Sequence, residues 1–461
     1  MCPIWPLHLV ILYLLALCPL WVLCQQLPKM SLDALFEPNA TIVHMDTTGY
    51  VDVTIRGQGL KGGDKIQPYS IDENVATAVA NSSYTLTAAE AGSGTWKGRI
   101  RIYGNFLGRT NVSLKVKREE EVYSVDQNLD VTVTRPERVI DTVFTTSVAL
   151  FVSLIFINFG CAMHWPTVKD VMKRPIGPAI GMVGQFLWMP LMSFGLGYLI
   201  FPDEPMFHMG MFFTGVSPGG GASNIWTFIL GGNLNLSLAM TTISTLASLG
   251  FMPLWLFSLG QVVFRNARIG VPYTRILSFV VGLVVPLGIG LAMQRFTPRL
   301  AAFMVRILKG FSTTLLLFII IFAIVTNIYI FKLFSWQIIV AGMGIPWLGY
   351  MFGYALARLC KRPHADALAI SVETGIQNTG ISIFLLRYAL QPPFSDIATV
   401  VPVSAAIMTP VPMMCIYIYQ KIMLCIKNRR NLHEKIVEDA VTPVSEAPQP
   451  DVIATINVDR K

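Results

Sequence analysis

Ser217-Pro218-Gly219-Gly220-Gly221-Ala222-Ser223-Asn224 interrupts one long apolar run, and Glu373-Thr374-Gly375-Ile376-Gln377-Asn378 interrupts another. The two stretches fall in matching places in the two halves of a membrane region. Pro and Gly break a membrane helix only where the freed N–H and C=O groups find partners in protein or in a water-filled cavity. Broken helices at corresponding positions of two halves are the sequence mark of a secondary transporter, and they locate a midplane site for ion and substrate.

Composition agrees with that placement. With 53% hydrophobic and 13% charged residues and a mean hydropathy of +0.56 over 461 residues, the chain has too little charge to cover a soluble surface. Its net charge of +8 implies no nucleic-acid partner. Most Lys and Arg lie outside the apolar runs, where membrane orientation and anionic lipid head groups favour them.

The chain divides into four parts. Residues 1–24 hold an apolar block that stops at Gln25-Gln26, the pattern of a secretory signal peptide. The Lys or Arg expected at its start is missing, which keeps an uncleaved signal anchor as the alternative. Residues 25–138 alternate with period two, as in Tyr50-Val51-Asp52-Val53-Thr54-Ile55 and Arg99-Ile100-Arg101-Ile102-Tyr103, and predict an antiparallel β-sandwich. Asn39, Asn81 and Asn111 each open an Asn-X-Ser/Thr acceptor there, so a glycosylated luminal or extracellular domain is expected. All seven cysteines lie outside the segment, which must hold together by its core, centred on Trp96.

Residues 139–426 contain nine apolar spans, at about 141–164, 176–201, 205–230, 235–262, 273–294, 304–331, 335–358, 365–390 and 396–426, each near the roughly 20 residues a bilayer requires. With the sandwich outside, nine crossings put the C-terminus in the cytoplasm. Lys169, Lys173, Arg174, Arg358, Lys361 and Arg362 then fall on the inner side, as the positive-inside rule expects, while Arg265, Arg268 and Arg275 dissent. Residues 427–461, with mixed charge and scattered Pro, predict a disordered tail.

The breaks also suggest chemistry. After Pro218, Ser223 and Asn224 present side-chain oxygens to a cavity, and Ser237 and Thr241 share one face of the next span. Oxygen ligands suit a hard monovalent cation, whereas a transition metal prefers His or Cys. Glu373 is a carboxylate deep in a span, where an unpaired charge costs several kcal/mol, so it marks function by default. Gln377 lies four residues on, and the carbonyls of Thr374 and Ile376 can turn toward an ion. Gln185 is an isolated amide in an apolar run, and on its own it reads as a helix-to-helix hydrogen bond. Gly219, Gly220, Gly221 and Asn378 border the gap between the breaks, the expected substrate cavity. His164 and His208 read as interfacial. No phosphate-binding loop or nucleophile-base arrangement appears, so the expectation is a protein without enzyme activity or cofactor.

Blocks of residues 141–426 resemble the sodium/bile acid cotransporter family: Gly160-Cys161-Ala162-Met163, Gln185 with Met189-Pro190-Leu191, Pro218 to Asn224, Asn235 to Thr242, and Glu373 to Asn378, in the family's order. The resemblance implies an α-helical polytopic membrane protein, an inverted-repeat transporter with two crossed discontinuous helices. It implies one sodium site from Ser223, Asn224, Ser237, Thr241 and Glu373, and a second from Gln185, Glu373, Thr374, Ile376 and Gln377. Three residues depart from the family pattern, Gly221, Ala222 and Asn233, and the sandwich resembles an ectodomain-bearing branch. The expected activity is sodium-coupled symport of an amphipathic organic anion, of bile-acid or steroid-conjugate type, by alternating access. The alternative is a transport-inactive membrane receptor or scaffold whose ectodomain binds a protein partner. Membrane lipid, sodium and the anion are the other expected partners.

Overall fold

Apolar residues at every second position along Thr48–Gly57 and Thr95–Gly104 give two strands one buried side each. In the computed structural model these strands pair antiparallel, with Val51 opposite Ile100 and Ile55 opposite Trp96. The structure describes residues 32–441 apart from 58, 80–82, 137, 138, 164, 174 and 307–332. The expected signal peptide, Asn81, His164, nearly all of the sixth span and the end of the tail lie outside the described residues.

Among the described residues ten strands and one short helix form the N-terminal domain: β1 (Leu32–Glu37), β2 (Ala40–His44), β3 (Thr48–Gly57), β4 (Lys65–Ser70), β5 (Ala76–Ala78), β6 (Tyr84–Thr85), α1 (Ala88–Ser93), β7 (Thr95–Gly104), β8 (Gly108–Arg118), β9 (Glu121–Ser124) and β10 (Leu129–Thr134). One sheet runs β1-β3-β7-β5, the other β2-β10-β8-β4-β6 with β9 on β8. Val53, Ile55 and Ile100 from the first and Val112, Leu114 and Leu129 from the second share one buried cluster with Trp96, so the core closes without a disulfide. The pairing departs from the all-antiparallel expectation at β2 and β10, which are parallel. Pro38 cannot donate a ladder hydrogen bond, and there the chain leaves the first sheet and runs beside the last strand of the second. Behind β4, the buried Asp64 takes two hydrogen bonds from Arg118, at 2.7 and 2.8 Å. That guanidinium holds its carboxyl below the usual carboxylate value.

Among the described residues the membrane region includes helices α2 (Val139–Ala162), α3 (Trp165–Met172), α4 (Ile176–Ile200), α5 (Pro205–Val216), α6 (Ala222–Ile229), α7 (Leu234–Phe257), α8 (Leu259–Asn266), α9 (Tyr273–Phe296), α10 (Trp336–Leu359), α11 (His364–Gly375), α12 (Thr379–Ala389), α13 (Phe394–Ala398), α14 (Val400–Met408) and α15 (Pro410–Val441). Among the described residues helices stand at the expected spans, and the third and eighth are each split in two. The chain is a polytopic membrane protein: among the described residues five helical segments are long and apolar enough to cross a bilayer, and α2 with α3 forms a further bent candidate. Small residues set close crossings. A side chain at Gly290 of α9 would stand 2.0 Å from the carbonyl of Ile157 on α2, so the two backbones touch.

Two sequence readings change. The last helix runs on to Val441, past the expected start of the tail at 427. His208 is buried in an aromatic nest with Phe194 and Tyr198 instead of facing the interface. The rings around it come from α4, which sequence spacing along α5 does not reveal.

The sandwich packs onto the end of the membrane region formed by the turn from α4 to α5. Leu107 belongs to the buried cluster of the membrane helices, and Met45 and Phe106 pack against that cluster. The ends of α4, α7 and α11 at Gly177, Leu236 and Asp366 meet around one cleft at the opposite end.

Candidate functional site

Pro218 ends α5, the chain is extended at Ser217, and it turns back into helical geometry at Gly221 before α6 begins at Ala222. In the other half α11 ends at Gly375, Ile376 is extended, and α12 begins at Thr379 with Asn378 as its cap. The two extended pieces cross and pair. Gly219 stands antiparallel to Gln377, Gly220 N donates to Ile376 O at 2.7 Å, and Asn378 N donates to Pro218 O at 2.8 Å. Backbone groups freed by one break are thus satisfied by the other, which is what a bilayer demands of non-helical chain. The N-terminal ends of α6 and α12 both start at this crossing.

Glu373, 2% exposed, reaches the crossing from α11. Its Oε2 accepts from Ser223 Oγ at 2.6 Å and stands 2.9 Å from Thr241 Oγ1. Asn224 Oδ1 accepts from Ser237 Oγ at 2.9 Å and lies 3.3 Å from the same Thr241 hydroxyl. The structure therefore brings Ser223, Asn224, Ser237, Thr241 and Glu373 into one oxygen cluster. Thr241 has a single proton for several acceptors, so this cluster holds more acceptor oxygen than its own donors can satisfy. Glu373 Oε1 accepts no hydrogen bond. A side chain at Gly219 would stand 2.6 Å from that oxygen, so glycine is what leaves it room.

The second expected set is brought together differently. A π-type turn over Gly184–Trp188 swings Gln185 inward, and such turns recur at functional sites. Gln185 Nε2 donates to Ser217 O at 2.7 Å and to Gln377 Oε1 at 2.8 Å, while Gln377 Nε2 donates to Thr374 O at 2.8 Å. The Ile376 carbonyl is already engaged by Gly220. Gln185 thus bridges two helices, as its isolated amide suggests, and it also lines, with Ser244 and Glu373, a cavity of about 10 Å³. That is room for a single water-sized particle. Ser244 is absent from the sequence-derived set. It lies at helical spacing beyond Ser237 and Thr241, the signal by which it was accessible.

Thr242 faces outward and bonds back to Leu238 O. At the end remote from the sandwich, Asp366 accepts from Arg362 at 2.6 Å and from Asn233 at 2.8 Å, tying the turn before α7 to the start of α11.

Fold and site together define a polytopic membrane protein built on two crossed discontinuous helices with an oxygen-rich cluster at the crossing. The profile of the Sodium Bile acid symporter family matches residues 149–333. Over 259 residues the chain is 32% identical to the rabbit (Oryctolagus cuniculus) protein named ileal sodium/bile acid cotransporter, covering 55% of this chain and 73% of that one. It is 31% identical over 261 residues to the human P3 protein, covering 56% of this chain and 54% of that one. It is 32% identical over 249 residues to the rat sodium-dependent organic anion transporter, covering 53% and 65%. The chain belongs to the sodium bile acid symporter family. It spans about half the length of the P3 proteins it matches.

Proposed function

We propose that this protein is a sodium-coupled symporter of an amphipathic organic anion, of bile-acid or steroid-conjugate type, working by alternating access. The observation that carries the reading is the buried Glu373 carboxylate at the crossing, with one oxygen held by Ser223 and Thr241 and the other unpartnered. A charge so placed needs a counter-charge, and the surrounding hydroxyl and amide oxygens favour a hard monovalent cation. One sodium ion is assigned to Ser223, Asn224, Ser237, Thr241 and Glu373. A second is assigned to Gln185, Glu373, Gln377 and the carbonyls of Thr374 and Ile376, the amide pair opening to admit it. No cofactor is required. The related proteins named as sodium/bile acid and sodium-dependent organic anion carriers support the same reading.

The anion is assigned to the gap bordered by Gly219, Gly220, Gly221 and Asn378. Partial positive charge at the first turns of α6 and α12, together with bound sodium, favours a negative group there. The sandwich is assigned to the extracellular or luminal side and the C-terminus to the cytoplasm, in agreement with Lys169, Lys173, Arg358, Lys361 and Arg362 at the opposite end.

Reciprocal titration tests the reading. Affinity for an organic anion such as a conjugated bile acid or steroid sulfate should rise with sodium, and the anion should tighten sodium binding by the same factor. Anion binding indifferent to sodium would refute symport.

A further inference from the structure

Two cavities lie on one line. The small one sits beside Glu373 and Gln185, and a cleft of about 820 Å³ opens at the end remote from the sandwich, with Asp170, Lys173, Arg362 and Asp366 around its mouth. Both are walled by α4 and α7. Gly177 and Leu236 line the cleft, while Gly181, Met240 and Ser244 line the small cavity, so each helix presents residues four apart along one face to the same groove. The two cavities are separated where Met240 crosses to Gly181: a side chain at 181 would stand 2.2 Å from the Met240 methyl carbon. Deeper in, Glu373, whose Oε1 has no hydrogen-bond partner, lines the small cavity.

We propose that this groove between α4 and α7 is the route by which the cation beside Glu373 exchanges with the inner face, and that Met240 is its gate. The proposal rests on Glu373 being a sodium ligand. Oε2 is held by Ser223 and Thr241, while Oε1 is left without a partner beside Gly219, where Ser244, which lines the small cavity with Glu373, also comes close, so an ion bound to Glu373 has the groove as a way out. The glycines keep the α4 wall bare. Met240 fills the narrow point with a flexible, unbranched side chain whose rotation opens the passage without moving a helix. Closed, it puts an apolar plug between the carboxylate and water. Open, it joins the Glu373 cavity to a cleft lined by both signs of charge. Gating by one residue at this depth separates sodium release from the larger movement that exposes the anion.

Cysteine accessibility tests this in the full-length protein in membrane vesicles, with every cysteine but the buried Cys161 replaced by serine. Leu236→Cys, Met240→Cys and Ser244→Cys sample the mouth, the gate and the deep end. The probe is a membrane-impermeant cationic methanethiosulfonate applied to one face at a time. All three should be labelled from the inner face and none from the outer face, and sodium should suppress labelling at Ser244→Cys. Adding Gly181→Val, which wedges Met240, should abolish labelling at Ser244→Cys and spare Leu236→Cys. Labelling confined to Leu236→Cys without that wedge, or labelling of Ser244→Cys from the outer face, overturns the route. Labelling at all three that sodium leaves unchanged overturns the assignment of sodium to Glu373 instead. Should Met240→Cys fail to fold, the other two positions still decide.

Discussion

Arg135, just past the last sandwich strand, donates from Nε to Asp396 Oδ2 at 2.9 Å, and Asp396 is 1% exposed. Arg387, at the end of α12, approaches the other carboxylate oxygen at 3.3 Å. One buried carboxylate thus joins the sandwich exit to the discontinuous helix. Removing one member of a buried ion pair typically costs about 3–5 kcal/mol. Asp396→Ala should lower the thermal unfolding temperature of the detergent-solubilised protein far more than the surface change Asp203→Ala. Equal shifts would show that the tether contributes nothing.

Glu373→Gln removes the only charge in the proposed sodium cluster while keeping its shape. Sodium at 100 times its Kd should stabilise the wild-type protein by about 2.7 kcal/mol through mass action. The variant should fold and lose that sodium-dependent gain. Retention of the full gain would exclude Glu373 as a ligand.

Gly219→Ala places a methyl group against Glu373 Oε1 at the paired crossing, where neither backbone can retreat without breaking the Gly220 to Ile376 hydrogen bond. Overpacking of this kind costs about 1–3 kcal/mol. The change should abolish sodium-driven uptake, whereas Gly195→Ala, which meets nothing within 4 Å, should leave uptake intact. Unaltered uptake in Gly219→Ala would show that the crossing is looser than its hydrogen bonds indicate.

Asp64 titrates below its ordinary value in the folded sandwich because Arg118 favours the carboxylate. Its contribution is therefore complete above the ordinary carboxylate value, near pH 4, and is lost as pH falls through the lower folded value. Charge-assisted hydrogen bonds of this type contribute about 1.5–3 kcal/mol. Asp64→Asn should destabilise the sandwich at pH 7, and the gap to wild type should close in strong acid. A gap independent of pH would assign the effect to packing.

Asn39 lies exposed in the turn between β1 and β2. If the sandwich is luminal or extracellular, protein from secretory membranes should lose mass on glycosidase treatment, and Asn39→Gln should remove part of that shift. Full-length protein with no shift would place the sandwich on the other side.

The membrane class, the sandwich strands and the two breaks were legible in the sequence because each depends on local chemistry: apolar length, period-two alternation, and Pro or Gly within an apolar run. Glu373, Ser223, Asn224, Ser237 and Thr241 could be singled out for the same reason, as polar groups where lipid or apolar packing disfavours them. Their assembly could not. Ser223 and Glu373 are 150 residues apart, and only the antiparallel crossing of the breaks brings them to 2.6 Å. The engagement of the Ile376 carbonyl by Gly220, the burial of His208 among rings from α4, the parallel β2–β10 pair and the Met240 constriction likewise depend on which elements meet. Hydropathy and spacing describe how one segment treats its solvent. Contacts between distant segments are fixed by packing and by the need to satisfy every buried backbone group, and those conditions are met only in the folded chain.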